Sequence, residues 1–170
     1  MSDETLIVDV APGRGDLLEL VRELFAEYQS WLGDAVCSAR LAEEIAGLPG
    51  PYAAPQGRLL LAMDDGVAIG CVGIRPHHGT ACEMKRLYVR PWARGQGVAG
   101  MLAEAAAVAA RAMGYESVLL STVSGMMDAA QGLYERMGFV KTEPFDDLSG
   151  VAEGEGIVHM RLDLRGRGGQ

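Results

Sequence analysis

The stretch Arg94-Gly-Gln-Gly-Val-Ala-Gly100 carries two overlapping signatures for holding phosphate. From Gly95, GQGVAG fits G-x-G-x-x-G, the dinucleotide fingerprint. From Arg94, RGQGVA fits R/Q-x-x-G-x-G/A, in which an arginine and small helix-opening residues grip a pyrophosphate. Both use the same physics. The first N–H groups of a helix lack internal partners and carry partial positive charge, and small residues let a ligand approach the backbone. Arg94 can add a charge-assisted contact. Two other residues have types suited to proton transfer. Glu83 sets a carboxylate on TACEMKRLYV, a strand that otherwise reads as buried. Tyr134 sets a phenol one turn before a helix ends, in QGLYERMGF.

Regular elements must position these groups. Thr5 to Val10 is a short β-rich run. In GDLLELVRELFAEYQSWLG, Leu17, Leu20, Val21, Leu24, Phe25, Tyr28 and Leu32 keep helical spacing, with Asp16 as N-cap and Gly33 as stop. Ser38 to Ala46 predicts a second helix burying Leu41, Ile45 and Leu48, followed by the stiff, proline-rich loop LPGPYAAPQG. RLLLAM, VAIGCVGIR and TACEMKRLYV are joined by the short turns DDG and PHHG, an antiparallel meander. Alternation puts Glu83, Lys85, Leu87 and Val89 on one face of the last strand and Cys82, Met84, Arg86 and Tyr88 on the other. A long alanine-rich helix runs from Val98 to Met113, SVLLST is a strand, and Asp128 caps a short helix with Gln131 completing a capping box. Gly138 ends that helix. FVKTEPF and GIVHMRLDL are closing strands around an acidic loop, and RGRGGQ predicts a disordered tail at 165–170 after one domain over 1–164.

This order decides between the two phosphate patterns. A dinucleotide loop puts its first glycine at the strand end, yet five residues separate Val89 from Gly95. It also needs a parallel sheet and an acidic residue ending the next strand, where Ser121 and Thr122 stand instead. The Arg94 pattern meets its own demand, a strand leading through a turn into a helix with small first residues.

The same order, with CEMKRLYVRPWARGQGVAGML and AAQGLYERMGF correctly spaced, resembles the GNAT family of N-acetyltransferases from about Val8 to Leu164. The resemblance implies an α/β (α+β) fold: a mixed, mostly antiparallel sheet splayed open in its middle and flanked by helices. It implies acetyl-CoA as donor, with the pantetheine arm lying in the splay like an extra strand. Leu87 and Val89 would offer backbone groups to that arm, the Val89 amide meeting the thioester oxygen. Arg94, Gly95, Gln96, Gly97, Val98, Ala99 and Gly100 would cradle the pyrophosphate. Tyr134 looks like the tyrosine that protonates the departing thiolate, although Ala130, Leu133, Tyr134 and Met137 also keep the spacing of a core face. Glu83 stands where several members carry a general base, but an ion pair with Lys85 or Arg86 explains it equally. The family's asparagine seven residues before the tyrosine is Met127 here, leaving Ser124 or Asp128 to replace it. Tyr28, Trp31, Tyr52 and Arg40, from the first helices and the proline loop, are the acceptor-pocket candidates, although helix packing and surface charge explain them as well.

Composition bounds the function. The 170 residues suffice for one domain with a real core, 49% are apolar and the net charge is −8. No basic run suggests a nucleic-acid face, and the acidity favours cationic small substrates over anionic ones. The acidic N-terminus lacks the apolar run of a signal peptide, and no stretch reads as a membrane helix. Cys37, Cys71 and Cys82 show no metal spacing and argue for a reducing cytoplasm. His77 and His78 read as solvated turn residues rather than metal ligands, and His159 has no partner visible in the sequence. The expectation is acetyl transfer to the amine of a small molecule. Acetylation of a protein N-terminus or lysine, and a non-catalytic acyl-CoA-binding module, are the alternatives. The resemblance also implies pairing of two copies as a homodimer, through the closing strands.

Overall fold

The computed structural model describes residues 4–32, 38–123, 127–145 and 156–167. Strand β1 (Thr5–Asp9) leads into helices α1 (Gly15–Leu32) and α2 (Ser38–Ala46). Strands β2 (Arg58–Asp64), β3 (Val67–Pro76) and β4 (Ala81–Val89) follow, then α3 (Val98–Ala112), β5 (Ser117–Val123), α4 (Asp128–Met137), β6 (Val140–Lys141) and β7 (Ile157–Asp163). The seven strands form one sheet in the order β1-β2-β3-β4-β5-β7-β6. Every neighbouring pair is antiparallel except β4 and β5. That parallel pair joins only Ala81–Glu83 to Ser117–Leu119, after which the two strands part. The splayed, mostly antiparallel sheet expected from the sequence is what the chain forms.

Each face of the sheet has its own core. On one, Ile69, Val72, Met84 and Val118 pack beneath α3, whose Leu102, Ala103, Ala106 and Ala110 are buried. Alanine at those positions lets the helix lie close to the strands. On the other, Val21, Leu24, Phe25 and Tyr28 of α1 and Leu41 of α2 cover Leu59, Leu61, Cys71 and Tyr88. Cys71 and Cys82 are buried thiols; Cys37, Gly33 and Ser124 lie outside the described residues.

Several local expectations are corrected. Helix α1 begins at Gly15, so Asp16 sits in its first turn, paired with Arg14 at 2.9 Å, rather than capping it. The N-cap of α4 is Met127 without a side-chain cap. Asp128 is thus the first helical residue, and Gln131 bonds Glu135 at 3.3 Å instead of closing a capping box. Its carboxylate still favours the helix start through the dipole. The strand expected over FVKTEPF shrinks to Val140–Lys141, consistent with Pro144 having no N–H for a ladder. Arg165–Arg167 of the expected tail form a short 3₁₀ turn, tied by Arg165 N–H to Asp163 at 2.9 Å.

The largest correction concerns β4. Gly70 pairs with Val89 and Cys71 with Tyr88, but Gly73 pairs with Lys85, so β4 holds one residue more than β3 between those points. Arg86 takes the extra place with φ +62°, a left-handed conformation for a side-chain-bearing residue. Alternation therefore holds from Cys82 to Lys85 and then shifts. Met84 and Val89 pack toward α3, with Leu87 against the same core, whereas Tyr88 packs toward α1.

Candidate active site

The parting of β4 and β5 opens a cavity of about 640 Å³, a size suited to a small-molecule site. Its walls come from β4 (Glu83 to Val89), β5 (Leu120 to Val123), the start of α3, the inner face of α4, and Tyr28, Trp31 and Leu32 of α1. Of the sequence candidates, Glu83, Leu87, Val89, Arg94, Gly95, Gly97, Val98, Ala99, Gly100, Tyr134, Tyr28, Trp31 and Arg40 all line it. Gln96 and Tyr52 are not among its lining residues. Tyr52 is only 1% exposed and meets Phe25 edge-on at 6.0 Å; it also lies so close to Gly73 that a Cβ there would come within 2.6 Å of its ring. Its place is the core between α1 and β3.

Backbone groups face the opening at two points. The Arg90 N–H bonds the Ile69 carbonyl of β3 at 2.9 Å. Neighbouring peptide groups of a strand point to opposite edges, so the Val89 amide turns toward the edge that β5 has left. At the head of α3, Gly97 is the N-cap with φ +82° and no side chain caps the helix. Its first N–H groups therefore remain for an anion. A Cβ at Gly95 or Gly97 would meet nothing within 4 Å, so glycine is needed there for its positive φ and not for lack of room. Arg94 folds back: Nε donates to the Val89 carbonyl at 2.9 Å, and the guanidinium lies 5.6 Å from the Tyr88 ring and 5.7 Å from that of Trp31. That posture fixes the side chain at the cavity wall and leaves its terminal nitrogens for an anion.

Tyr134 is 7% exposed and packs its ring 5.5 Å from Phe139. Burial raises its phenol well above the ordinary range, with the nearby Tyr28 adding to the effect. It therefore stays protonated at any working pH, and no described residue hydrogen-bonds its hydroxyl. Core packing and cavity lining coexist in this one residue. Glu83 is 2% exposed and held by two cations, Arg75 at 3.3 Å and Lys85 at 3.8 Å. Arg86, offered as its partner by the sequence, instead forms a two-pronged bond to Glu44 of α2, at 2.8 and 3.2 Å. Burial opposes ionisation of Glu44, but the Arg86 hydrogen bonds and charge outweigh it and hold the carboxyl below its ordinary value. Burial, then the Arg86 charge, pushes the Lys85 ammonium down. Arg40, Lys85, Arg86, Arg94 and Arg136 all reach the wall, with Glu83 the one acidic residue on it among the described residues. Among the described residues the wall therefore carries more cations than carboxylates, although the chain as a whole is acidic.

Met127 lines the cavity where the family's asparagine was sought. Sequence reasoning missed Ser121 and His159. Ser121 lies on the wall and its Oγ is 3.2 Å from Nδ1 of His159, directly opposite it on β7. Their only sequence signal was a place in two strands whose register was unknown. His77, read as solvated, is half-buried and stacks edge-on with Phe145 at 5.1 Å. Among the described residues no group of three or more His, Cys, Asp or Glu could hold a metal ion, and no helix is long and apolar enough to cross a membrane.

The model of the acetyltransferase (GNAT) family matches residues 18–139. An uncharacterised N-acetyltransferase of Schizosaccharomyces pombe is 35% identical over 151 residues, covering 86% of this chain and 88% of that protein. A GNAT-family acetyltransferase of Staphylococcus aureus Mu50 superposes with a TM-score of 0.75 at 14% identity, covering 95% of this chain and 100% of that one. An aminoglycoside 6′-N-acetyltransferase solved with coenzyme A superposes at 0.67 and 14% identity, covering 94% and 97%. With the splayed sheet, the glycine-opened helix and the buried tyrosine on one cavity, these likenesses make the chain a member of the GNAT family of N-acetyltransferases.

Proposed function

We propose that this acyltransferase moves an acetyl group from acetyl-CoA to the amine of a small molecule. The observation that carries the reading is the gap between β4 and β5, with the Val89 amide turned into it and Tyr134 on the same cavity wall. When bound, acetyl-CoA supplies a thioester carbon open to attack by an amine. The residues present fit it. The uncapped start of α3, from Gly95 through Gly100, and the anchored Arg94 would hold the pyrophosphate, with Gln96 on the outer side of the same loop. Leu87 and Val89 would pair their backbone with the arm, and the Val89 N–H would stabilise the oxygen on which charge develops. Tyr134 would give its proton to the thiolate. Tyr28 and Trp31, stacked at 6.0 Å, form the wall where an acceptor would lie. Glu83, set between Arg75 at 3.3 Å and Lys85 at 3.8 Å, serves best as their counter-charge, since both cations already engage its carboxylate.

The test is thiol release from acetyl-CoA with a panel of primary amines, amino acids and short peptides, alongside calorimetry of CoA binding. Turnover with a free small amine and not with peptides is the expected result. CoA binding with no turnover of any amine would overturn acetyl transfer in favour of a sensing module, and turnover of peptides alone would move the acceptor to proteins.

A further inference from the structure

We propose that Ser121 and His159 form a proton relay that takes the proton from the acceptor amine; this rests on the acetyl-transfer reading above. Three observations carry it. The two residues are direct cross-strand partners, with Oγ and Nδ1 3.2 Å apart. The β4–β5 pairing ends at Glu83 and Leu119, and Ser121 stands two residues further along β5 on the face of Leu119. That puts it at the lip of the gap, exposed and on the cavity wall, with His159 behind it at 6% exposure. Finally, the imidazole is also packed against an aromatic ring. Phe145 meets it edge-on at 4.9 Å and in turn meets His77, while the His159 carbonyl accepts the Thr142 N–H at 2.9 Å.

The chemistry needs a base, and among the described residues the one carboxylate on the cavity wall, that of Glu83, is occupied by Arg75 and Lys85. An imidazole is the side chain that ordinarily titrates closest to neutrality. With its proton on Nε2, His159 accepts the Ser121 hydroxyl through Nδ1. As the nitrogen of a neutral amine bonds to the acetyl carbon and the carbon–sulfur bond breaks, one N–H proton passes to Ser121 Oγ. The serine's own proton passes to His159 Nδ1, and the departing sulfur takes a proton from Tyr134. Imidazolium and phenolate then return to their starting forms by proton exchange with solvent, so protons balance. Charged or titratable groups near His159 among the described residues include His77 across Phe145, the exposed Arg161 and Lys141 on β7 and β6, and Glu143 beside Thr142, while Glu83 and Lys85 on β4 and Arg75 on β3 stand two or three strands away in the sheet.

Two measurements on the full chain test the relay. Long-range ¹⁵N–¹H NMR of labelled histidine needs no acceptor. At neutral pH it should show His159 with Nδ1 free of hydrogen and Nε2 protonated, and Ser121→Ala should shift the Nδ1 resonance. A proton on Nδ1 overturns the relay whatever the substrate. The second measurement is turnover of acetyl-CoA with whichever panel amine reacts fastest. His159→Asn keeps a polar group opposite Ser121 but cannot take a proton. It should lower kcat by ~10²-fold with CoA affinity retained, and remove the ionisation on the acidic limb of the pH–rate profile. Ser121→Ala should do the same, and it carries the test if the histidine variant folds poorly. Wild-type rates and an unchanged profile in both variants overturn the relay. A wild-type protein that binds CoA yet acetylates no amine points instead to failure of the transfer reading.

Discussion

At the scale of single residues, Tyr134 joins two demands that usually pull apart. Its ring is core, packed on Phe139, and the same residue lines the cavity wall. Burial keeps the phenol neutral, and a neutral phenol is a hydrogen-bond donor ready for a developing thiolate. Replacing it with phenylalanine leaves the ring packing and removes only the donor. Tyr134→Phe should therefore reduce kcat by roughly 10²–10⁴-fold while calorimetry finds CoA affinity nearly unchanged. A variant that loses CoA binding in step with turnover would make the hydroxyl a ligand contact instead. The resemblance singled out this residue and its amphipathic spacing marked it equally as core, but neither could say which of its atoms meets the cavity. That depends on how far α4 stands from the parted strand β5, a distance absent from the pattern of one helix.

At the scale of elements, β4 organises both halves of the site, and its bulge is the feature least visible beforehand. Turn residues and alternation were enough to set out β2, β3 and β4, because each strand is bounded by glycine or proline and buries an apolar face. Nothing in CEMKRLYV announces an extra residue, since the positive φ falls on an arginine and not on a glycine. Tertiary contact imposes it: Arg86 reaches α2 and forms a two-pronged bond with Glu44, the two side chains being 16% and 12% exposed. The Ser121–His159 pair was hidden for a related reason, its members lying 38 residues apart on strands whose register only the folded sheet fixes. By contrast, the start of α3 was legible in full, because the glycines that shape it are local. The Arg86–Glu44 bond gives the bulge a measurable consequence. Arg86→Met leaves a largely buried carboxylate without its partner and should cost about 3 kcal/mol in chemical denaturation. Adding Glu44→Leu removes the stranded charge and should recover most of that loss. A double variant as unstable as the single one would show that the backbone shape at Arg86, and not the ion pair, supports α2.

Across the whole molecule, two cores on opposite faces of one sheet bury weak acids that want to remain protonated. Burial is the leading cause in each. The Cys82 thiol is pushed up to about 12 from an ordinary 9.0, and Cys71 moves further in the same direction. Tyr28, Tyr52 and Tyr134 are likewise raised above a phenol's ordinary 10.0. In the unfolded chain these groups ionise at their ordinary values, whereas in the folded chain they keep their protons. Above pH 9 the unfolded state therefore binds fewer protons than the native state, and stability falls as pH rises. Below that point the contribution is fully present, and it is exhausted only once the folded groups themselves ionise. The limiting slope is about 1.4 kcal/mol per pH unit for each group titrating in the unfolded state alone. Under reducing conditions, denaturation midpoints should hold level up to roughly pH 8.5 and then decline, the thiols first and the phenols one unit later. Cys71→Ala with Cys82→Ala should delay the decline toward the phenol range at some cost in packing. A midpoint that stays level through pH 10.5 in the unaltered chain would mean that water reaches these side chains and that the two cores are looser than their burial implies.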